Sequence, residues 1–369
     1  MTQVKPPPQD RLELIAALRS AVEDVMFVTG YTFDDAGTVH LLGRFKLPAD
    51  QAYRPLRERM ERVGFTPFVK DQEGANVMEG AIEVTAVPGV IPRTKPDTRV
   101  NLWLFIATVV SVIFTGMQFS NRPDGLDLGA GLMYGLTVML ILGTHEMGHY
   151  IVGRWRGAPV SLPYFIPLPI IGLFGTMGAL IVQREPFEDR RTLIEVGLAG
   201  PLAGFIVAVP LLLVGLVLTT TQSAVTTGMG FGDSLLSTFL KTLHWGAYIP
   251  SDGLREHPIY IAAWFGLVIT GINLIPAGQL DGGHIAYAIL GPASKYLSYA
   301  MIAVFAILSL TVSDTWVLWT LLMLAFGRSH PPSLNQSVKL DPIHFALAFI
   351  ALLVLVLAFT PNPLYNIGG

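Results

Sequence analysis

The stretch Leu140-Ile-Leu-Gly-Thr-His-Glu-Met-Gly-His-Tyr-Ile-Val-Gly153 decides how this chain is read. It closes an apolar segment, about Leu128–Gly153, long enough to cross a bilayer as a helix. Inside that segment sit two histidines and a glutamate, side chains that are costly in hydrocarbon and mark functional sites there. On a helix, His145 and His149 fall one turn apart on one face, so both imidazoles can reach one ion. Glu146 projects beside them, where it can hold and deprotonate a water on that ion. The plain alternatives are a chance match or a structural role for all three. The apolar setting argues against both.

Working outward, apolar runs of spanning length recur from Leu102 to Phe359. The chain has 369 residues, 51% hydrophobic and 14% charged, with a mean hydropathy of +0.53. A soluble globular protein carries about 25% charged residues, so the shortfall points to lipid. We expect a polytopic α-helical membrane protein with about seven spans. They fall near 101–119, 128–153, 193–218 and 258–275, with a hairpin over 295–327 and a last span at 342–359. Between the second and third lies Pro159–Gln183, apolar yet broken by Pro163, Pro167, Pro169, Gly172, Gly175 and Gly178. Irregular backbone at membrane depth is tolerated only where protein buries it or it lines a cavity. The expectation is a re-entrant, strand-like loop near the site, with Gly175 and Gly178 serving either close packing or an open strand edge.

More than half of the charged residues precede Val100. Residues 1–86 are therefore read as a small soluble α+β domain, 87–100 as a Pro-rich linker and 101–360 as the membrane body. In the first, Leu12, Ile15, Leu18, Val22 and Val25 have helical spacing. Val39–Lys46 reads as a strand, and Asp50 as the N-cap of a charged helix through Arg62. Two more strands are expected near 65–70 and 76–84. The domain binds a partner or substrate, gates access, or is a stabilising cap; the residues leave these open. Met1–Asp10 has no apolar core, so no signal peptide is expected.

Arginines 154, 156, 184, 190 and 191 flank the irregular loop, while Thr219–His257 carries one Lys and one Arg against three acids. By the positive-inside rule the Arg-rich side is cytoplasmic, and the soluble domain and the Arg328–Lys339 loop share it. A bacterial plasma membrane is the expected location, with the active-site opening on that side. The cluster is read mainly as a topology and headgroup signal. A net charge of −3 gives no reason to expect nucleic acid. The chain has no cysteine, so any metal is held by nitrogen and oxygen.

Two histidines need a third ligand. Asp281 stands in Asn273-Leu-Ile-Pro-Ala-Gly-Gln-Leu-Asp-Gly-Gly-His284, at the end of the fourth span. Pro276, Gly278, Gly282 and Gly283 break the helix there and let the backbone turn a carboxylate inward. Alone, Asp281 reads equally as a ligand or as the N-cap of a helix over 282–290. With the His pair present the ligand reading is preferred. Two His, one carboxylate and an open position make a catalytic zinc set, so one Zn2+ per chain is expected. His284 is then surplus to the set. His40, His244, His257, His330 and His344 are read as surface or interfacial residues, and Trp316 and Trp319 as lipid-facing anchors. Gly200-Pro201 reads as a packing kink in the third span.

Together these motifs resemble the site-2 protease family of intramembrane zinc metalloproteases. The match pairs His145–His149 with Leu280-Asp281-Gly282. It extends to Gly197-Leu-Ala-Gly-Pro-Leu-Ala-Gly204 and to Asn273 and Pro276. Gly175-Thr-Met-Gly-Ala179 looks most like the plastid and cyanobacterial-type branch, which has a soluble N-terminal region and no PDZ domain. The resemblance covers about 128–290. It implies that His145, His149 and Asp281 bind zinc and that Glu146 is the general base for a zinc-activated water. It implies substrates that are transmembrane or membrane-anchored proteins. Asn273 is then a candidate for binding the substrate backbone or the developing oxyanion, with an interhelical hydrogen bond as its alternative. Three rivals remain: a metal or proton transporter using the same cluster, a membrane-anchored zincin cutting soluble peptides, and an inactive scaffold, against which intact Glu146 argues.

Overall fold

A computed structural model describes residues 11–34, 37–72, 80–91, 98–119, 125–169, 174–183, 185–221, 228–246, 254–327 and 330–367. Its chain divides into two compact units. One comprises Met1–Lys95, Glu185–Thr192 and Pro331–Asp341; the other comprises Pro96–Arg184, Leu193–His330 and Pro342–Gly369.

The first unit begins with α1 (Arg11–Val22), β1 (Met26–Phe33) and β2 (Val39–Phe45). It continues with α2 (Ala49–Arg62), β3 (Phe65–Asp71) and β4 (Ala81–Pro88). The strands form one antiparallel sheet in the order β1-β2-β4-β3. Period-2 burial on β2 and β4 and the apolar stripe of α2 (Tyr53, Leu56, Met60) build a shared core with Leu18 and Val22. The helix expected through Val25 stops at Val22, and Met26–Phe33 is a strand that the helical spacing concealed. Asp50 is not the N-cap. Pro48 holds that position with φ −52°, and Asp50 lies in the first turn, where its carboxylate still faces the positive helix end. Of the strand expected at 76–84, residues 76–79 lie outside the described residues, and β4 occupies Ala81–Pro88.

Two segments distant in sequence complete this unit. Val69 of β3 donates to the Leu334 carbonyl, and Gln336 donates back to Val69, both at 2.8 Å. Leu334 and Asn335 in turn donate to Phe187 and Glu188. The free edge of β3 is thus covered, as an exposed edge would otherwise template association. Leu334 joins the core fully buried, and Asn335 donates to the Ala49 carbonyl at 2.9 Å. Arg57 pairs with Glu61 and Glu185, and Arg191 with Asp341.

The second unit contains α3 (Thr98–Gln118), α4 (Leu128–Trp155), β5 (Tyr164–Pro167), β6 (Thr176–Leu180) and α5 (Arg190–Leu218, its first turn in the other unit). Next come β7 (Thr220–Thr221), β8 (Gly228–Phe231), α6 (Leu235–Trp245), β9 (Leu254–Arg255), α7 (Pro258–Asn273) and α8 (Asp281–Leu290). The chain ends with α9 (Ser294–Thr311), α10 (Thr315–Phe326), α11 (Pro342–Ala358) and β10 (Leu364–Ile367). Each of the expected spans holds an α-helix. Among the described residues, four helices are long and apolar enough to cross a membrane: Thr98–Gln118, Leu128–Trp155, Arg190–Leu218 and Asp281–Thr311, the last running from α8 through α9. Three more, Pro258–Asn273, Thr315–Ala325 and Pro342–Ala358, are apolar but shorter. The protein is membrane-embedded.

The irregular loop is a strand pair. β5 and β6 are antiparallel with a bulge between Phe165 and Pro167, and Val160 bridges to Gln183. Its two glycines divide the two readings. Gly175 (φ +78°) leaves no room for a Cβ, which would lie 2.6 Å from Thr115 Oγ1, and its carbonyl accepts from Ser111. Gly178 (φ +102°) faces open space. Asn101, unnoticed in the sequence, ties α3 to this loop by donating to the Leu162 and Pro163 carbonyls.

Three expectations need correction. Trp316 is a core residue, 1% exposed, stacked on Phe359 and donating to the Pro361 carbonyl, because the short α10 packs against α9 and the chain after α11. His344 is buried and lies 3.2 Å from Glu195, which also pairs with Arg156. Of the arginine cluster, Arg156 and Arg191 are therefore occupied within the protein, while Arg184 lies outside the described residues.

Candidate metal centre

Helix α4 has two faces. Leu132, Leu136, Leu140, Met147, Ile151 and Trp155 point outward, at the spacing of one helical stripe. Tyr134, Val138, Ile141, Leu142, His145 and His149 form the opposite, buried stripe. The histidines are 2% and 8% exposed, and Glu146 is 4% exposed. The same periodicity that seats the apolar residues against the bundle carries both imidazoles and the carboxyl inward.

Among the described residues, His145, His149 and Asp281 form a group able to hold a metal ion. Their ligand atoms make a nearly equilateral triangle. His145 Nε2 and His149 Nε2 are 3.2 Å apart, and Asp281 Oδ2 lies 3.4 and 3.3 Å from them. Ligands 2.0–2.2 Å from a tetrahedral zinc are separated by about 3.3–3.5 Å, so the triangle is one face of such a tetrahedron. The proton positions fit as well. His149 Nδ1 is 2.8 Å from the Val196 carbonyl, which can only accept, so Nδ1 carries the proton and Nε2 offers a lone pair. Lone pairs and a carboxylate aimed at one point repel one another unless a cation sits there. The donor set fits zinc.

Asp281 does not cap the helix it starts. The N-cap of α8 is Leu280, without a side-chain cap, and the Asp281 carboxylate goes to the histidines instead. The start of α8 needs glycine where it meets the preceding turn: a Cβ on Gly282 would lie 1.9 Å from the Leu274 carbonyl, and one on Gly283 2.4 Å from that of Gly278. Asn273, the last residue of α7, places its carboxamide Nδ2 3.3 Å from His145 Nε2. His284 is not in the ligand group; its Nδ1 lies 2.5 Å from His330 Nε2, with Tyr287 stacked on that ring.

The wall behind the histidines comes from α5. A Cβ on Gly200 would sit 2.1 Å from His149 Nε2, one on Gly204 3.1 Å from His145 Cβ, and one on Gly197 3.0 Å from the Asp281 carbonyl. From the other side, Gly148 abuts the Ala199 carbonyl. Small residues let helix backbones approach closely in membranes. Here they bring α5 onto the ligands themselves. Gly200-Pro201 does not break the helix, which runs unbroken from Arg190 to Leu218. Sequence reasoning saw the glycines as packing elements and missed the Val196 carbonyl altogether, because a backbone acceptor has no side-chain signature.

Comparisons with known proteins bear on the family of the chain. Residues 133–312 match the model of peptidase family M50, a span that holds both ligand-bearing motifs. The chain is 30% identical over 97% of its length to a probable zinc metalloprotease, EGY2, chloroplastic, of Arabidopsis thaliana, covering 66% of it. It is 31% identical over 78% of its length to a probable zinc metalloprotease, EGY1, chloroplastic, of the same plant, covering 57%. A zinc metalloprotease of Methanocaldococcus jannaschii, MJ0392, is 27% identical over 52% of the chain, with 43% covered. The chain thus spans between about two fifths and two thirds of the length of these relatives. No solved structure matches it.

Proposed function

This chain belongs to peptidase family M50, and on that premise we propose that it is an intramembrane zinc endopeptidase cutting transmembrane or membrane-anchored proteins. The observation that carries the reading is the ligand triangle of His145, His149 and Asp281 on a membrane helix, with Glu146 buried one residue away. Zinc bound there supplies a Lewis acid and a water of lowered pKa. Glu146 would be the general base, orienting the attacking water, taking its proton as the scissile carbonyl is attacked and returning it to the leaving amine. The Asn273 carboxamide, beside the ligand triangle, binds the substrate backbone or the developing oxyanion. No side chain forms a covalent intermediate.

A helical substrate has its amides paired and shielded, so it unwinds locally before attack. The β5–β6 pair, with Gly178 facing open space, supports binding of the unwound stretch as an added strand. Residues 101–360 are the protease domain, with the apolar helices embedded in the bilayer and 1–86 an accessory soluble domain. The Arg-rich side is the cytoplasmic face of a bacterial plasma membrane; the chloroplastic relatives favour an organellar membrane as the second reading.

The deciding experiment is cleavage of a single-span substrate by purified protein in detergent. Wild type, Glu146→Ala, and chelator-stripped wild type before and after zinc are compared. Cleavage by wild type and its zinc-restored form alone supports the assignment. Equal cleavage by Glu146→Ala overturns it.

A further inference from the structure

Helix α6 is built inside out. Its sequence, Leu235-Leu-Ser-Thr-Phe-Leu-Lys-Thr-Leu-His-Trp245, would in water turn leucines inward and lysine outward. The structure does the reverse. Leu235, Phe239 and Leu243, spaced four apart on one face, are 60%, 63% and 70% exposed. Lys241 is 6% exposed, its Nζ held 2.9 Å from Asp233 Oδ2 and above the Tyr260 ring. Leu240 is buried in the core that contains Tyr260 and Trp264.

The polar groups of the helix are satisfied from within. Ser234 and Ser237 form a reciprocal capping box, and Ser237 Oγ also donates to Asp233. On the outward face, Thr242 returns its hydroxyl proton to the Thr238 carbonyl at 2.8 Å. Such arrangements suit a medium that offers no hydrogen bonds. Trp245, a residue type that settles at headgroup level, stands beside His244 in the last turn. Eleven residues rise only about 16 Å, too little for a hydrocarbon core of about 30 Å.

The surface against which α6 packs identifies what covers its outer face. Its neighbour α11 is an apolar helix whose Phe349, Leu352, Leu353 and Val356 are all exposed. Leu235 of α6 and the exposed Val356 of α11 line one shared cleft, so the exposed faces of the two helices adjoin there. We propose that α6 is embedded in one leaflet, with Leu235, Phe239 and Leu243 against lipid acyl chains. The helix is then a lipid-anchored half-helix between α5 and α7.

The chain has no cysteine, so single-cysteine labelling is clean. Leu235→Cys, Phe239→Cys and Leu243→Cys in the full chain are spin-labelled and placed in phosphatidylcholine–phosphatidylglycerol vesicles. Leu352→Cys on α11 serves as the lipid reference and Gln51→Cys on the charged α2 as the aqueous one. Collision rates with oxygen, which partitions into acyl chains, are compared with those of a water-soluble nickel chelate. At all three positions the oxygen-to-nickel ratio should match Leu352→Cys and exceed Gln51→Cys several-fold. A ratio equal to that of Gln51→Cys overturns the proposal. So does exclusion of both reagents, which would mean that protein, such as a second copy of the chain, covers the face. The readout needs no activity, so it stands apart from the protease assignment.

Discussion

His149 Nδ1 donates to the Val196 carbonyl at 2.8 Å, and one turn further along α5 the missing side chain of Gly200 leaves the space beside His149 Nε2. The same helix thus fixes the imidazole's proton and makes room for its lone pair. Orientation of a metal ligand by an outer partner commonly governs affinity as much as the ligand's own identity.

Gly200→Ala should therefore empty the centre without unfolding the bundle. The added Cβ would fall 2.1 Å from Nε2, so the ring must swing away. Zinc per chain, measured by atomic emission, should drop well below one. Gly143→Ala on α4, whose Cβ meets nothing within 4 Å, should keep its metal. Full zinc occupancy in Gly200→Ala would show that the wall tolerates a methyl group.

Asp281→Asn removes the only anion of the triangle. Loss of an outer-shell partner costs about 10–100-fold in metal affinity, and loss of this ligand should cost more. Competition with a zinc-sensitive dye gives the number. An unchanged affinity would return Asp281 to a purely helix-starting role.

Glu146→Gln keeps a side chain of the same shape beside the histidines but cannot take a proton. Zinc content should stay near wild type while cleavage falls about 10²–10⁴-fold, the usual range for loss of a general base. Metal loss in parallel with activity would instead mark Glu146 as structural.

Arg57→Met tests the ion pair that ties 185–192 into the soluble unit. Glu185 has only 2% of its side chain exposed and would lose its charged partner there. Breaking one side of a buried pair costs about 3–5 kcal/mol. Hydrogen exchange in the full chain should show reduced protection in α2 and in 185–192. Arg57→Met with Glu185→Gln should recover part of it.

Glu83 supplies a pH dependence. Burial pushes its carboxyl up, but hydrogen bonds from His40 and Lys70 outweigh that and hold it below the usual carboxylate range. A depressed pKa adds stability above the unfolded carboxyl pKa, and that contribution is lost as pH falls through the folded value. Protection factors in β2 and β4 should decline on acidification below about pH 4.5, and Glu83→Gln should flatten the decline. An identical profile for the variant would remove Glu83 as the titrating group.

Much of this was legible in the residues. Apolar length placed the helices within a few positions, and the i, i+4 spacing of His145 and His149 put both rings on one face of α4. The breakers between Pro159 and Gln183 announced the strand pair. Other features were not legible. Met26–Phe33 hid behind helical spacing that ran one turn too far. Trp316 and His344 look like surface residues by type, yet neighbours distant in sequence bury them. The segments 185–192 and 331–341 read as connections between spans, although they seal the edge of a sheet formed at the other end of the chain.

The sequence by itself determined the local facts, since helix period and transfer into lipid depend only on neighbouring residues. It settled that this is a membrane protein and that two imidazoles and a carboxylate share one turn of an apolar helix. Only the tertiary structure decided which backbone carbonyl orients His149, how close α5 comes, and that Asp281 turns to the two imidazoles rather than to its own helix end. Those depend on packing between segments far apart in the chain, where a few tenths of an ångström separate a ligand triangle from a clash.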